Sequence, residues 1–255
     1  MTYTIIGTGN MAWFLSQRLH EAGFVCKGIY GRDAEHAAKL ANVIQSDVIS
    51  DVQQLPESDV CILAVKDTVV AEIAGTLNLS STVVIHTAGS VAVDVLPQAD
   101  TGVLWFIFSI NKSNLPDHRN IPAVYETRSV KAKEVLRQLA QAVTDMVSEV
   151  SWQQRQWLHL GAVLGNNFAN HLFALCEQLC NEQGLPFSLL QPIIQQTLGN
   201  LNGASPQTTQ TGPAIRGDRS TMDAHLRLLQ EHPALQRIYE VLSTSIEDMY
   251  NKERN

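Results

Sequence analysis

The chain has 255 residues, of which 45% are hydrophobic and 17% charged, and a net charge of -7. This length and composition are typical of a globular protein with one large or two modest domains. The acidic balance argues against a nucleic-acid partner. The longest apolar runs, such as residues 60–65 and 102–110, are too short to cross a bilayer, so we expect no membrane partner.

The cysteines and the N-terminus both predict a cytoplasmic protein with free thiols. The four cysteines match no redox or disulfide pattern: Cys26, Cys61, Cys176 and Cys180. No basic stretch precedes the first apolar run, so the sequence has no visible signal peptide.

The most informative motif opens the chain. A short apolar run, Thr4–Ile6, leads into Gly-x-Gly-x-x-Ala and then into an amphipathic stretch at 13–22. The order strand, glycine turn, helix places a pyrophosphate at the helix N-terminus. Gly7 permits the tight turn, and Gly9 lets the backbone approach the phosphates. The residues predicted to bind the cofactor here are Gly7, Thr8, Gly9, Asn10 and Met11.

Residues 1–150 alternate apolar strands with helices. Strands are predicted at Thr4–Ile6, Val25–Tyr30, Val60–Val65, Val83–His86, Val103–Phe108 and Ala123–Tyr125, and helices at Ala34–Ala41, Thr68–Leu77 and Val130–Ala142. This alternation predicts an α/β fold, a doubly wound parallel-sheet Rossmann domain with its ligand crevice at the carboxyl ends of the strands.

The tip of the second strand indicates which dinucleotide binds. An acidic residue, typical of NAD sites, is absent there, and Gly31 and Arg32 take its place. The glycine leaves room for a 2′-phosphate and the arginine can pair with it, so we predict NADP. In the alternative, Arg32 is merely solvated and Asp33 binds the ribose. We expect Asp33 instead to cap the next helix.

Two further strand ends reach the same crevice. Val65 and Lys66 end one strand, and Lys66 could meet a phosphate or a substrate acid, or remain a solvated surface residue. His86 to Ser90 end the next strand, where the nicotinamide should lie. Ser90 is predicted to contact the cofactor, and whether His86 also lines the pocket stays open.

From residue 151 the pattern is helical only, which predicts a second domain at 151–255. We expect one helix over Trp152–Gln183, another over Phe187–Leu201, and a glycine- and threonine-rich loop after it. A capping box at Ser220 would start a third helix, and Pro233 a fourth.

These motifs resemble known reductases. Residues 6–12, the tip Gly31-Arg32 and the strand end at 64–66 resemble pyrroline-5-carboxylate reductase and the deazaflavin-dependent NADP reductases. The second half is closer to a bacterial family of Rossmann-like NADP oxidoreductases whose substrate is unassigned. The stretches that carry this match are His159-Leu160, Asn167-Phe168, Asn170-His171, Gly184-Leu185-Pro186, residues 210–214, Arg216, Asp218 and His225-Leu226.

The resemblance covers nearly the whole chain. It implies a reductase-like fold with an all-helical dimerisation domain, but no particular reaction. One departure matters. Relatives often carry Gly-x-x-His-Pro in the fifth strand, where this chain has Trp105 and Phe106, so no role for that histidine can be transferred.

A polar stripe on the long helix supplies candidate catalytic residues. At 100° per residue, Asn166 and Asn170 project within about 20° of His159, and Asn167 within about 80°. Either the stripe faces a substrate, or its members satisfy one another within a helical interface. As a site residue, His159 could transfer a proton, and Asn167 could orient a substrate oxygen or nitrogen.

The loop at 210–218 has hydroxyls and free amides that suit an anion. Arg216 could clamp a substrate carboxylate, or it could form a salt bridge to Asp218 that only fixes the turn. The predicted catalytic set is therefore His159, Asn167 and Arg216, with no metal ligands.

Together these features predict an NADP-dependent oxidoreductase that transfers a hydride to or from a small imine, ketone or hydroxy acid. The alternative is a non-catalytic NADP-binding sensor or scaffold, in which side chains such as Trp105 fill the space beside the nicotinamide. The apolar helical half predicts a homodimer formed through residues 151–255.

Overall fold

The structure, a computed structural model, describes residues 1–251. It forms two compact units, one from Met1 to Gly165 and one that starts at Asn166. The first unit holds eight strands: β1 (Thr2–Ile6), β2 (Val25–Tyr30), β3 (Val48–Ile49), β4 (Val60–Leu63), β5 (Val83–His86), β6 (Thr101–Phe106), β7 (Ala123–Thr127) and β8 (Val147–Glu149). They form one sheet in the order β3-β2-β1-β4-β5-β6-β7-β8.

Helices cover both faces of this sheet. They are α1 (Asn10–Glu21), α2 (Ala34–Ile44), α3 (Val70–Thr76) and α4 (Val130–Val143). Alternate residues of each strand point to opposite faces, so Ile5 and Ile62 join the core beneath α1, α2 and α4, while Ile6 and Leu63 join the core beneath α3. All residues of β4 and β5 are buried, which explains their continuous apolar sequences.

The predicted α/β class and Rossmann topology are confirmed, with two corrections to the sheet. The short edge strands β3 and β8 were not predicted, because two or three residues carry no readable periodicity. The strand β7 is antiparallel to β6, since only a loop, not a crossover helix, joins them. The sheet is therefore mostly parallel rather than wholly so.

The helical part of the chain begins within the first unit. Its elements are α5 (Trp152–Ala162), a π-helical segment (Val163–Phe168), α6 (Ala169–Glu182), α7 (Gln191–Asn200), α8 (Pro213–Arg216), α9 (Arg219–Leu228) and α10 (Pro233–Asn251). The single regular helix predicted over Trp152–Gln183 is wrong in one respect, because the π-helical segment interrupts it. A π-helix turns less than 100° per residue, so the angles calculated from His159 to the three asparagines do not hold.

Helix caps show which local signals were correct. The Asp33 carboxylate accepts hydrogen bonds from the amides of Glu35 and His36, both at 3.0 Å, so the predicted cap of α2 is confirmed. Pro233 begins α10, as predicted. The predicted cap at Ser220 is wrong. Asp218 caps α9 instead, accepting from the Thr221 amide at 3.1 Å, because a carboxylate three residues before a free amide is a strong cap.

The second unit has very little core of its own. Of its described side chains, only Ala214, Met222, Leu229 and Ser243 are buried. Many large apolar side chains are exposed instead, among them Phe168, Leu189, Ile193, Leu198 and Val241. In the part of the chain that the structure describes, no helix combines the length and apolar character needed to span a membrane.

Candidate dinucleotide-binding site

The glycine turn after β1 is held against β4. Gly7 has a φ of +122°, and a Cβ placed on it would lie 2.2 Å from the Ala64 carbonyl oxygen. The Gly7 amide donates to the Tyr30 oxygen at 2.8 Å, and the Ala64 amide to the Ile6 oxygen at 2.8 Å. No other residue type fits at position 7, because both the backbone angle and the space exclude a side chain.

Gly9 has a different role. It is the N-cap residue of α1, no side chain caps this helix, and a Cβ on Gly9 would meet nothing within 4 Å. There is therefore open space beside the N-terminus of α1, and its first turn contains no acidic residue. Such a helix N-terminus carries a partial positive charge and unsatisfied donors, which suit a pyrophosphate.

A groove of about 700 Å³ runs along this edge of the sheet. It brings together nine of the ten residues predicted to bind the cofactor: Gly7, Thr8, Gly9, Asn10, Met11, Gly31, Arg32, Val65 and Lys66. Other lining residues include Tyr30, His36, Glu72 and Thr87. The groove lies outside the carboxyl ends of β1, β2 and β4, where doubly wound sheets bind ligands.

Gly31, Arg32 and Asp33 lie together at the β2 end of the groove. A Cβ on Gly31 would lie 2.6 Å from the Thr8 methyl group, so glycine lets the turns after β1 and β2 meet without displacing the Thr8 side chain. Arg32 and His36 line the groove beside it. The hydrogen bond from the His36 amide is the main cause that lowers the pKa of Asp33, and the Asp33 carboxylate is engaged as the cap of α2.

Ser90 is the tenth residue that the sequence predicts to bind the cofactor. It is not among the groove-lining residues; its hydroxyl donates a hydrogen bond to the Asp67 carboxylate. Asp67 directly follows Lys66 after β4, and Ser90 belongs to the loop after β5. This hydrogen bond therefore links the two loops at the point where the groove reaches Thr87.

His86, which the sequence left open, is a structural residue. It is fully buried, and its Nδ1 accepts from the Ala88 amide at 3.2 Å while Nε2 faces the Ala92 oxygen at 3.4 Å. Burial lowers the pKa of His86 to about 4. The imidazole is thus neutral near pH 7 and supports the β5 loop rather than lining a pocket.

The same loop is held by a residue that the sequence analysis missed. Arg155 on α5 is fully buried, and its guanidinium donates to the carbonyl oxygens of Ala88, Gly89 and Val91. The available signal was its position one helical turn before His159, on the same face of α5. An isolated arginine in a polar helix reads as solvated, which concealed it.

Trp105 and His159 form an aromatic pair beside this loop. Their ring centroids are 5.5 Å apart with an interplanar angle of 49°. A Cβ on Gly89 would lie 2.6 Å from the Trp105 indole, so the indole packs directly under the loop. His159 thus lies in the same cluster as the β5 loop, close to the strand end that the nicotinamide was predicted to approach.

The two remaining candidates belong to the second unit. Asn167 is exposed, and its Oδ1 accepts from the Asn166 side chain at 3.4 Å. Arg216 ends α8, a four-residue helix inside the segment that was predicted to be a loop. Asp218 is occupied by Thr221, which makes it the cap of α9 rather than a residue that only fixes the turn. Within residues 1–251, no cluster of His, Cys, Asp or Glu could hold a metal ion.

The fold and the groove define a dinucleotide-binding protein of the Rossmann class. Family models agree in both halves of the chain: "NADP oxidoreductase coenzyme F420-dependent" matches residues 2–90, and a domain of unknown function, DUF2520, matches residues 121–246. None of the curated proteins compared with the chain matches it.

Solved structures extend the match to nearly the full chain. A crystal structure described as a "putative NADP oxidoreductase" of Bacteroides fragilis is 32% identical, covers 97% of this chain and 98% of its own, and has a TM-score of 0.86. A pyrroline-5-carboxylate reductase of Coxiella burnetii is 17% identical over 98% and 97%, with a TM-score of 0.58. An imine reductase of Myxococcus stipitatus in complex with NADP⁺ is 15% identical over 99% and 95%, with a TM-score of 0.65.

The two reductases share the fold at low identity, whereas the Bacteroides protein shares the family. This chain belongs to that family of Rossmann-like NADP oxidoreductases, as the residues at its two halves had indicated.

Proposed function

We propose that this protein binds NADP and transfers a hydride between it and a small imine, ketone or hydroxy acid. The observation that carries the proposal is the groove at the carboxyl edge of the sheet, with Gly31 and Arg32 at the β2 tip. Membership of the oxidoreductase family supports catalysis over a sensor role. We propose a small-molecule substrate, and neither a nucleic acid nor a membrane as a partner.

The residues present fit the cofactor. Two positions where a Cβ would collide, Gly7 and Gly31, shape the cradle, and the uncapped amides of α1 would hold the pyrophosphate. Arg32 would pair with the 2′-phosphate, because a guanidinium matches a phosphate in charge and geometry. Lys66 and Val65 would line the path toward the nicotinamide. When bound, the cofactor supplies the hydride.

The protein would contribute orientation and a proton. We assign the proton to His159, because histidine is the most common general acid or base in enzymes and this one packs on Trp105 beside the β5 loop. We assign substrate orientation to Asn167 and an acid group of the substrate to Arg216. Both of these residues lie in the second unit.

The cofactor assignment predicts a preference for NADPH. We expect the wild-type protein to bind NADPH at least about tenfold more tightly than NADH, a gap of about 1.4 kcal/mol. Arg32→Ala should remove most of this preference by weakening NADPH alone, because NADH has no 2′-phosphate. Isothermal titration calorimetry with both nucleotides measures it.

Lys39→Ala is the matched control. Lys39 is also a cation on the β2 side of the sheet, but it pairs with Glu35 at 2.6 Å and does not line the groove. It should leave both affinities unchanged. Equal affinities for NADPH and NADH in the wild-type protein would contradict the assignment.

We further propose a homodimer formed through residues 151–255. The second unit buries only four of its described side chains, and a helical unit needs a larger core to be stable. Its exposed apolar side chains would supply that core if they met the same surface of another copy, as two-fold symmetry allows. Apolar exposure on this scale is unusual in a monomer.

Light scattering tests the assembly. At micromolar concentration we expect about twice the monomer mass of 28.1 kDa. Ile193→Glu, at a side chain 62% exposed on α7, should shift the protein toward monomer, because burying an unpaired carboxylate is costly. Val130→Glu adds the same charge at an 87% exposed residue of the first unit and should remain dimeric. A monomeric wild-type protein would reject the proposal.

A further inference from the structure

Arg155 occupies an unusual environment for an arginine. Its side chain has no solvent exposure, and one terminal nitrogen, Nη1, lies 3.3 Å from the Ala88 oxygen, 2.9 Å from the Gly89 oxygen and 2.7 Å from the Val91 oxygen. The other, Nη2, donates to Glu126 Oε2 at 2.8 Å. The guanidinium carbon lies 4.6 Å from the centre of the Trp152 ring.

This burial is not explained by stability alone. Removing a guanidinium from water costs more than one ion pair reliably returns, and the buried Nε of Arg155 has no hydrogen-bond partner among the described residues. An apolar side chain would fill the same space at lower cost. However, an apolar side chain could not hydrogen-bond three carbonyl oxygens of one loop, as Nη1 of Arg155 does.

The loop held in this way lies at the end of the groove where the nicotinamide would rest in the NADP site proposed above. It follows β5, directly after the groove-lining Thr87. Two other contacts hold it: Ser90 bonds to Asp67, which follows β4, and Gly89 rests on the Trp105 indole. Three independent contacts therefore fix one short segment, residues 88–91, while the β2 end of the groove has no part in this network.

We propose that Arg155 is a positioning residue for the nicotinamide half of the cofactor. It holds residues 88–91 in the conformation on which that half rests, and Glu126 holds Arg155 in turn. This inference rests on the NADP site proposed above, and it divides the groove in two. The 2′-phosphate end depends on Arg32, and the nicotinamide end depends on Arg155, which touches no phosphate.

The binding of two nucleotides can test the two ends of the groove independently. NADPH fills both ends of the site, whereas adenosine 2′,5′-bisphosphate carries only the adenosine end and its phosphates. For Arg155→Lys, which keeps the charge but cannot reproduce the planar fork, we expect NADPH affinity to fall at least about tenfold. The affinity for adenosine 2′,5′-bisphosphate should stay within about twofold, the size of an ordinary distant substitution.

A second variant guards against a general loss of structure. Glu126→Gln leaves an acceptor for Nη2 but removes its charge, and it should produce the same selective loss at smaller size. Arg119→Lys is the control. Arg119 also holds two carbonyl oxygens, those of Ala142 and Gln141 at 2.8 and 2.7 Å, and a carboxylate, Asp145 at 2.9 Å, but none of these residues lines the groove. It should change neither affinity.

The outcomes are distinct. Selective loss of NADPH binding in both test variants supports the inference. If the affinity falls equally for both nucleotides, or falls for neither, the inference about Arg155 is overturned. The proposed NADP site is not contradicted by either result. If the wild-type protein binds neither nucleotide, the proposed function itself fails.

Discussion

Gly7→Ala should abolish NADPH binding and destabilise the protein. The new Cβ would lie 2.2 Å from the Ala64 carbonyl oxygen, which is backbone and cannot move aside without displacing the end of β4. The φ of +122° adds strain of about 1–3 kcal/mol for any residue with a side chain. Single substitutions usually lower the free energy of unfolding by about 0.5–3 kcal/mol. For Gly7→Ala we expect a loss of at least about 3 kcal/mol.

Gly9→Ala separates the fold from the binding site. Its Cβ would meet no protein atom within 4 Å, so unfolding by urea should show little change. The methyl group would still stand where the pyrophosphate approaches α1, and calorimetry should show weaker NADPH binding.

If Gly7→Ala is as stable as the wild-type protein and binds NADPH equally well, the turn after β1 is not the phosphate site.

Replacement of His159 should remove most turnover while leaving the cofactor bound. In the wild-type protein, the ring centroids of His159 and Trp105 are 5.5 Å apart. His159→Phe keeps an aromatic ring at this position but has no nitrogen to carry a proton. Because positioned general acids contribute about 10²–10⁴-fold, we expect a loss of that order in kcat. NADPH affinity and the unfolding midpoint should be nearly unchanged.

The assay is NADPH oxidation with a panel of small cyclic imines, ketones and keto acids. Arg216→Ala should raise KM for the substrates that carry a carboxylate and spare those that do not. Asn167→Ala should lower kcat for all of them. Full turnover in His159→Phe would show that the imidazole serves only to pack against Trp105.

The parts of the site that the sequence predicted are those encoded by neighbouring residues. The turn at Gly7 and Gly9 is recognisable because a strand, two glycines and a helix must follow one another within a few residues. The α2 cap is equally local, since Asp33 bonds to amides two and three residues ahead. The order of these elements then places their ends at one edge of a sheet.

Long-range packing decided the remainder. The direction of β7 depends on its pairing with β6, which no local pattern specifies. The π-helical segment at 163–168 changes the phase of the helix and so overturned the calculated stripe. His86 ends β5, a position from which a side chain could line a pocket, but its imidazole is fully buried in the interior.

Arg155 shows the physical reason most clearly. The carbonyl oxygens that it binds belong to residues 64 to 67 positions away in the chain, and its carboxylate partner, Glu126, is 29 positions away. In the sequence it is one cation in a polar helix, where full solvation is the expected state. Only when β5, β7 and α5 pack together do three carbonyls and one carboxylate surround it and make its burial possible. The sequence alone therefore determined the fold class and the glycine turn after β1, and the tertiary structure decided how the loop after β5 is held.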